Sequence, residues 1–247
     1  MTTFKNSPYV DIPQELIAQF TLNGTIPVAN WWFDGSKKTQ IEWTSIYIDE
    51  FVKNFSLKNI EENIPLHEPY PNASRLLLAA LEKFQIKSQN IAVIGSETPW
   101  IEAILLNLNN TVTTVEYNTP NCSDPRIKCI SYDDFCSTDY QYDCVVSYSS
   151  IEHSGLGRYG DALNPNGDIE TMEQVHKKLI DNGLFIWGAP VGQDALVWNA
   201  HRIYGPRRLP VLFEKFHELA WFGFNKNDLF TLPLECCRQP VVALRKK

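Results

Sequence analysis

The sequence predicts an α/β fold in which a mainly parallel sheet is covered by helices on both faces. Two observations lead to this prediction. From about residue 70 onward, short apolar runs rich in β-branched residues alternate with longer segments whose apolar residues recur at helical spacing. The 44% hydrophobic and 21% charged content is that of a globular protein with a sizeable core. Strands that alternate with helices pair in parallel through right-handed crossovers, which places helices on both faces of the sheet.

Seven strands and three long helices are expected after residue 70. The first of these helices has Leu77, Leu81 and Phe84 on one face. Thr98 and Pro99 precede the second helix, and a capping side chain before a proline favours a helix start. The expected strands are 90–95, 111–117, 126–132, 142–148, 184–188, 217–224 and 240–245, and the expected helices are 72–84, 100–108 and 169–180.

The first 70 residues differ from the rest because tryptophan and proline interrupt them and their apolar pattern is mostly helical. We therefore divide the chain into an N-terminal helical cap or extension, 1–70, and an α/β domain, 71–247. Three alternative roles fit Trp31 and Trp32: stacking on a sugar, covering a cofactor, or anchoring the extension on the core. We favour the anchoring role. The helices expected in the extension are 13–20 and 46–55.

Charge and composition disfavour several classes of function. The net charge of −7 argues against nucleic acid or an anionic membrane as a partner, because both require a basic face. No apolar run approaches the roughly 18 residues of a membrane span, and the first ten residues lack the basic and apolar regions of a signal peptide. The six cysteines form no CxxC pair, so we expect reduced thiols. These features predict a cytoplasmic location.

Two residues at the ends of the first two expected strands suggest a ligand that contains a nucleoside. Gly95 follows the first strand, and Glu116 closes the second at about the 20-residue spacing at which an acid reaches ribose hydroxyls. A tight turn and an exposed carboxylate would give the same pattern. In the G-x-G-x-x-G register, Glu97 and Trp100 replace the other two glycines, and the carboxylate would repel a pyrophosphate. No GKS or GKT occurs, and a nicotinamide or flavin dinucleotide is disfavoured.

Longer segments carry a resemblance to a known fold. YDCVVSYSSIEHSG (142–155) and MEQVHKKLIDNGLFIWGAPVG (172–192) resemble class I S-adenosylmethionine-dependent methyltransferases around their fourth and fifth strands. GSETPWIEAILL, TTVEYN, SSIEHSGLGRYGD and NAHRIYGPRRL are similar to blocks of the domain-of-unknown-function family 268, a methyltransferase-like family of nematode and bacterial proteins. The resemblance covers about residues 72–247. It implies a Rossmann-like class I methyltransferase fold, with a mainly parallel seven-stranded sheet and a helical N-terminal extension. The glycine loop departs from the pattern, since only Gly95 remains.

The resemblance implies S-adenosylmethionine as the cofactor and S-adenosylhomocysteine as the product. This cofactor has no phosphate, and its sulfonium and ammonium groups are cationic, so a carboxylate at Glu97 is tolerated. Glu116 would bind the ribose, and Asp133 or Asp134 the adenine amino group; a solvated loop or a helix cap would also explain either aspartate. The expected cofactor contacts are Gly95, Ser96, Glu97, Glu116, Asp133, Asp134 and Ser149.

Methyl transfer to an alcohol requires in-line positioning and a base. His153 is the first choice as base, and Asp161 is the alternative. The Glu-His pair at this place also shapes the turn in many methyltransferases, and Arg158 and Asp161 would otherwise simply pair with each other. The expected catalytic residues are His153, Asp161 and His201, and the expected acceptor contacts are Glu152, Arg158, Tyr159, Arg202 and Tyr204.

We therefore predict a methyltransferase that O-methylates a small acceptor, with a carbohydrate hydroxyl favoured because bacterial relatives occur in surface-glycan contexts. Two alternatives stay open: a catalytically inactive methyltransferase-like binding or scaffold protein, and a nucleotide-sugar or dinucleotide enzyme. No metal is predicted, because Glu152, His153, Asp161 and Asp168 could converge but no HExxH spacing supports ligation. The expected partner is a small-molecule or glycan acceptor, and homo-oligomerisation is left open.

Overall fold

The computed structural model describes residues 11–33, 35, 40–66, 68–233 and 236–247. The α-helices within these residues are α1 (Ile17–Phe20), α2 (Ser45–Asn54), α3 (Leu57–Glu61), α4 (Ala73–Lys83), α5 (Trp100–Asn107), α6 (Tyr132–Ser137), α7 (Gly167–Lys178) and α8 (Leu209–Leu212). The strands are β1 (Val28–Trp31), β2 (Glu42–Trp43), β3 (Asn90–Ile94), β4 (Thr111–Glu116), β5 (Asn121–Cys122), β6 (Ile127–Ser131), β7 (Tyr142–Tyr148), β8 (Leu179–Gly188), β9 (Val191–Gly192), β10 (Ala195–Asn199), β11 (His201–Ile203), β12 (Phe216–Phe222), β13 (Cys237–Arg238) and β14 (Val241–Lys246). Among the described helices, none has the length and apolar character that a membrane crossing requires.

Seven of these strands form the central sheet in the order β12–β14–β8–β7–β3–β4–β6. β14 is antiparallel to both of its neighbours, and the other pairs are parallel. The predicted seven-stranded, mainly parallel sheet is thereby confirmed. After β3 the chain adds β4 and β6 on one side and then crosses to β7 on the other, so the switch point lies between β3 and β7. Ligands of such sheets bind at the carboxyl ends of the strands beside this point.

Helices cover both faces of the sheet, as the sequence predicts. In β3, Ile91 and Val93 pack in the cluster that holds the buried residues of α2, α4 and α5, whereas Ala92 and Ile94 pack in the cluster of α7 and α8. All four side chains are 5% exposed or less. A strand that is buried on both faces is apolar at every position, which explains the continuous apolar run in the sequence.

The structure moves the start of one strand. β8 begins at Leu179 rather than at 184, because Leu179 pairs with Tyr142 before the register shifts and Leu184 pairs with Cys144. Asn182 has a left-handed φ of 61° within this irregular stretch. The residues between the expected helix 169–180 and the expected strand 184–188 therefore form an irregularity inside a longer strand.

The N-terminal extension contains α1, α2 and α3, and also two strands that were not predicted. β1 pairs in parallel with β10, and β2 pairs in parallel with β5. All four residues of β1 are exposed, so no buried face in its sequence indicates a strand. Trp43 and Phe55 pack in the same hydrophobic cluster as the central sheet. The division at residue 70 stays a proposal, because the extension shares the core of the α/β domain.

The two adjacent tryptophans of the extension have different environments. Trp32 is 8% exposed, and its ring centroid lies 6.0 Å from that of Trp198, which also meets Phe20 at 5.2 Å. Trp31 lies on β1 and is 52% exposed. The anchoring role therefore fits Trp32, which ties the extension to β10.

Candidate functional site

Loops from three strands meet at the carboxyl edge of the sheet. They are residues 95–97 after β3, 116–118 after β4 and 149–152 after β7. Gly95 has a φ of 77°, and a Cβ at this position would lie 1.9 Å from the hydroxyl oxygen of Ser150. Only glycine accommodates both the left-handed conformation and this close approach. Gly95 thus allows the loops after β3 and β7 to touch.

Glu116 lies against the glycine loop, as its spacing from Gly95 predicts. Its Oε2 accepts the Ser96 N–H at 2.9 Å, and its Oε1 accepts the Tyr117 N–H at 2.9 Å. Burial raises the pKa of this carboxyl, against the lowering effect of the backbone donors. The carboxylate also accepts the Asn118 N–H, and it retains acceptor capacity for a hydroxyl donor of a ligand.

Carboxylates and tyrosines surround Glu116. Glu97 is exposed and lies close enough for its charge to raise the pKa of Glu116 further. Burial raises the pKa of Tyr117 to about 12, and the charges of Asp161, Asp133 and Glu116 add to the rise. The Tyr117 ring lies beside that of Tyr132, with centroids 5.0 Å apart. The surface that these residues form at the carboxyl edge is therefore acidic and partly aromatic.

The two neighbouring aspartates have different roles in the structure. Asp134 belongs to a capping box at the start of α6: its Oδ2 accepts the Ser131 hydroxyl at 2.7 Å, and its N–H donates to Ser131 Oγ at 3.0 Å. The helix-cap explanation thus accounts for Asp134. Asp133 is exposed and close to the Tyr117 phenol. Of the pair, Asp133 is the one that lies near Tyr117, beside this acidic surface.

A buried carboxyl beneath the glycine loop was not predicted. Glu102 on α5 is 0% exposed, and it accepts the Ser96 hydroxyl at 2.9 Å and the Thr114 hydroxyl at 2.8 Å. Burial raises its pKa to about 7 in spite of these donors. Glu102 links the glycine loop, α5 and β4. Its signal in the sequence is a single acid inside the apolar run WIEAILL.

Glu152 and His153 form a short 3₁₀ turn after β7. Glu152 is 0% exposed, and its Oε1 accepts the Ser149 hydroxyl at 2.8 Å. Its Oε2 is buried and has no hydrogen-bond partner among the described residues. Burial raises the pKa of this carboxyl to about 7. Glu152 is therefore a buried acid that titrates near neutrality.

His153 is the neighbour of this acid. Its Nδ1 lies 2.5 Å from the Ala200 carbonyl, which can only accept, so Nδ1 carries the proton and Nε2 has the free lone pair. Nε2 lies 3.8 Å from Glu152 Oε1. Burial and the charge of Arg158 lower the pKa of His153 to about 3. The imidazole is thus neutral and accepts hydrogen bonds at Nε2.

The glycine-rich loop that follows is held by Asp161. Its Oδ2 accepts the N–H groups of Gly155 and Gly157 at 2.8 and 3.3 Å, and its Oδ1 accepts that of Tyr159 at 3.2 Å. Arg158 does not pair with this carboxylate. Its guanidinium lies over the rings of Phe33 and Tyr159, at 4.8 and 5.2 Å from their centroids, and donates to the Ala200 carbonyl at 3.0 Å.

The polar segment 199–204 divides between the site and the core. It forms strand β11 and its flanks rather than a helix start. His201 lies at the site, with its ring centroid 6.3 Å from that of His153. Arg202 and Tyr204 are buried beneath the turn: Arg202 donates to the Ser154 carbonyl at 2.7 Å, and Tyr204 donates to Asp168 Oδ2 at 3.1 Å.

Asp168 is the centre of this buried network. Arg208 binds its two oxygens at 2.5 and 2.8 Å, and Arg202 Nε lies 3.6 Å from Oδ2. Asp168 therefore lies on the far side of Arg202 from Glu152 and His153. In the part of the chain that the structure describes, no three His, Cys, Asp or Glu side chains are grouped as they would be around a metal ion.

Tyr70 of the extension borders the site, and the sequence analysis did not single it out. Its ring packs against Tyr148 with centroids 5.3 Å apart. Burial raises the pKa of its phenol, which also interacts with Ser149 and with the charges of Glu152, Glu97 and Arg158. Tyr70 follows a proline-rich stretch that gives no local signal of a site.

Two solved structures resemble this one. The 1,6-didemethyltoxoflavin-N1-methyltransferase of Burkholderia thailandensis, solved with 1,6-didemethyltoxoflavin and S-adenosylhomocysteine, has a TM-score of 0.51 at 13% identity, over 85% of this chain and 93% of that one. The N-methyltransferase NodS of Bradyrhizobium japonicum, solved with S-adenosylhomocysteine, has a TM-score of 0.48 at 14% identity, over 78% of this chain and 98% of that one. The first likeness shows the fold, which is that of the class I S-adenosylmethionine-dependent methyltransferases.

Sequence comparison assigns the chain to a more specific group than the fold does. Among curated protein sequences, none matches the chain. A family profile described as "Caenorhabditis protein of unknown function, DUF268" matches residues 88–243, which is more than half of the chain. The protein therefore belongs to the DUF268 family, as the sequence blocks predict.

Proposed function

We propose that the protein is an S-adenosylmethionine-dependent methyltransferase. The observation that carries the proposal is the acidic surface at the carboxyl edge of a methyltransferase fold, where Glu97 and Glu116 adjoin the glycine loop. A carboxylate-rich loop attracts the sulfonium and ammonium groups of this cofactor and repels the phosphates of a dinucleotide. The residues present therefore fit a cationic cofactor without phosphate.

The residues that would hold the cofactor follow from their contacts. Glu116 retains acceptor capacity for a ribose hydroxyl, and Tyr117 offers a ring beside which the adenine can stack, with Asp133 available for its amino group. Gly95 and Ser96 supply the backbone of the loop, and Ser149 borders it from β7. When bound, the cofactor supplies a methyl group activated by the sulfonium.

His153 is the proposed base for the acceptor hydroxyl. Its Nε2 accepts the proton of the hydroxyl as the new O–C bond forms. Because burial and Arg158 hold the pKa of His153 at about 3, this step depends on the Glu152 carboxylate, 3.8 Å away, to stabilise the imidazolium. His201 and Tyr159 border this position. Asp161 shapes the loop, because its carboxylate already accepts three backbone N–H groups. Tyrosine rings and hydrogen-bonding groups around the turn support a carbohydrate acceptor.

Calorimetric titration with S-adenosylhomocysteine tests the cofactor proposal. We expect binding by the unaltered protein, and at least a tenfold loss in Glu116→Ala. Asp133→Asn should weaken binding, whereas Asp134→Asn, which affects only a helix cap, should not. A correctly folded protein that shows no binding would favour the inactive binding or scaffold alternative.

The base is tested separately by His153→Ala. Removing a general base lowers turnover by about 10²- to 10⁴-fold, and S-adenosylhomocysteine binding should be unchanged. His201→Ala is the matched control, with a smaller loss of turnover expected. Full turnover by His153→Ala would reject His153 as the base.

A further inference from the structure

A cavity of about 710 Å³ lies between the start of α4 and the ends of β12 and β14. Its lining includes Tyr70, Arg75, Leu76, Arg238 and Gln239. The volume is within the range of pockets that enclose small ligands. β12 ends at the carboxyl edge of the sheet, and α4 and β14 begin there, so the cavity lies at the same edge as the candidate site.

Tyr70 lies at the boundary between the cavity and the Glu152–His153 turn. Tyr70 lines the cavity, and its phenol also interacts with Ser149 and Glu152. Tyr148 packs on Tyr70, and its hydroxyl donates to the Gln239 carbonyl at 3.1 Å. A ligand in the cavity would therefore contact residues that border the proposed acceptor position.

Arg75 and Arg238 are the two charged side chains in the lining of the cavity. Both are exposed, and neither forms an ion pair with a carboxylate among the residues described. The Arg238 guanidinium donates to the carbonyl of its neighbour Cys237 at 3.1 Å, which leaves most of its donors available. Glu68, at the same end of α4, is not part of the lining, and its carboxylate accepts the N–H groups of Asn72 and Ser74 at 2.8 and 2.9 Å.

We propose that this cavity binds the acceptor and that Arg75 and Arg238 recognise an anionic group on it, a phosphate or a carboxylate. Guanidinium groups bind both kinds of oxyanion through paired N–H donors. Leu76 and Tyr70 supply an apolar wall for the rest of the molecule. The role as acceptor subsite rests on the proposed function, whereas the binding of the anion does not. The acceptor class is a sugar phosphate or a sugar acid.

Three probes with the same sugar and different charge test this proposal: glucose 1-phosphate, glucuronate and glucose. Binding to the full chain is measured by calorimetry in the absence of cofactor. We expect one or both charged probes to bind at least tenfold more tightly than glucose, and the stronger of the two identifies the anion. In Arg75→Ala/Arg238→Ala this preference should disappear, while Arg207→Ala, which removes an exposed arginine elsewhere, should retain it.

Two results would overturn the proposal: equal or absent binding of all three probes, or an unchanged preference in the double variant. Each variant is expected to fold, because substitutions at exposed positions change stability little. Circular dichroism verifies this. Titration with S-adenosylhomocysteine separates this proposal from the proposed function. Charged-probe binding without S-adenosylhomocysteine binding would reject the methyltransferase function and retain the anion site, and the reverse result would reject the anion site alone.

Discussion

Among the carboxyls that are fully buried beneath the carboxyl edge of the sheet, two form a pair whose charges differ. Glu102 and Asp168 are both 0% exposed. Glu102 accepts hydrogen bonds from two hydroxyls, and burial raises its pKa to about 7. Burial also acts to raise the pKa of Asp168, but Arg202 and Arg208 more than offset it and hold the pKa below its ordinary value. The partner, and not the degree of burial, decides whether a buried acid is ionised.

This difference in ionisation distinguishes the two halves of the candidate site, the proposed cofactor side and the proposed acceptor side. Glu102 supports the glycine loop through Ser96, so the proposed cofactor side rests on an acid that is neutral or charged according to pH. Asp168 supports the Glu152–His153 turn through Arg202, which donates to the Ser154 carbonyl. The support beneath the proposed acceptor side is therefore permanently charged, whereas Glu152 within the turn titrates near pH 7. We expect pH to affect the two halves differently.

The largest effect is expected from Asp168→Asn, which leaves Arg202 and Arg208 buried without a counter-charge. Breaking a buried ion pair costs about 3–5 kcal/mol, and urea denaturation measures the loss. Asp49→Asn is the matched control, because its pair with Arg126 is 65% exposed on the aspartate side. That control should cost about 0.5 kcal/mol or less. Equal losses in the two variants would contradict a charged Asp168.

Glu102→Gln should change how stability depends on pH. The pKa of Glu102 is about 7 in the folded protein and near 4.5 when unfolded, so the folded state holds its proton more tightly. Stability is therefore complete below pH 4.5 and falls as pH rises to about 7. Glu102→Gln removes this fall, and its stability relative to the unaltered protein should rise by about 3 kcal/mol between pH 4.5 and 8.

Urea denaturation at several pH values measures this change. The difference between the two proteins cancels the contribution of Glu152, whose pKa is also raised to about 7. Asp168→Asn serves as the comparison, since it should lose stability at both ends of this pH range. A constant difference between Glu102→Gln and the unaltered protein would mean that folding does not raise the pKa of Glu102.

Glu152 extends the comparison to activity. If its carboxylate stabilises the imidazolium of His153, turnover requires the ionised form and rises as pH passes about 7. The ionised fraction increases by about tenfold between pH 6 and 8. Methyl transfer to the charged sugar that binds in the titrations described above should follow this rise. In Glu152→Gln, turnover should be slower and should not change over the same pH range. A rise that persists in Glu152→Gln would assign the titration to another group.

The sequence predicts the framework of the site because short-range patterns determine it. Buried runs locate the strands, and the spacing of Gly95 and Glu116 places the carboxylate against the glycine loop. The Glu-His segment predicts where the polar turn lies, and His153 meets His201 there. Each of these features depends on residues close together in the chain or on the order of the strands.

The buried supports of the site could not be predicted in the same way. Arg202 and Tyr204 were expected to contact the acceptor, and the sequence does not distinguish an arginine that faces a ligand from one that faces Asp168. Tyr70 and strand β1 acquire their roles from partners distant in sequence. Glu102 is visible as an acid in an apolar helix, but its hydroxyl partners come from a loop and a neighbouring strand.

The smallest effects distinguish the two buried acids most directly, because each loses one hydroxyl donor. Ser96→Ala removes a donor from Glu102, and Tyr204→Phe removes one from Asp168 at 3.1 Å. A hydroxyl stabilises a carboxylate more than a neutral carboxyl, so Ser96→Ala should cost about 1 kcal/mol at pH 5 and about 2 kcal/mol at pH 8. Asp168 is ionised at both pH values, so Tyr204→Phe should cost about 2 kcal/mol at each. Urea denaturation of both variants at the two pH values measures this contrast, and a pH-independent loss in Ser96→Ala would show that Glu102 does not titrate between them.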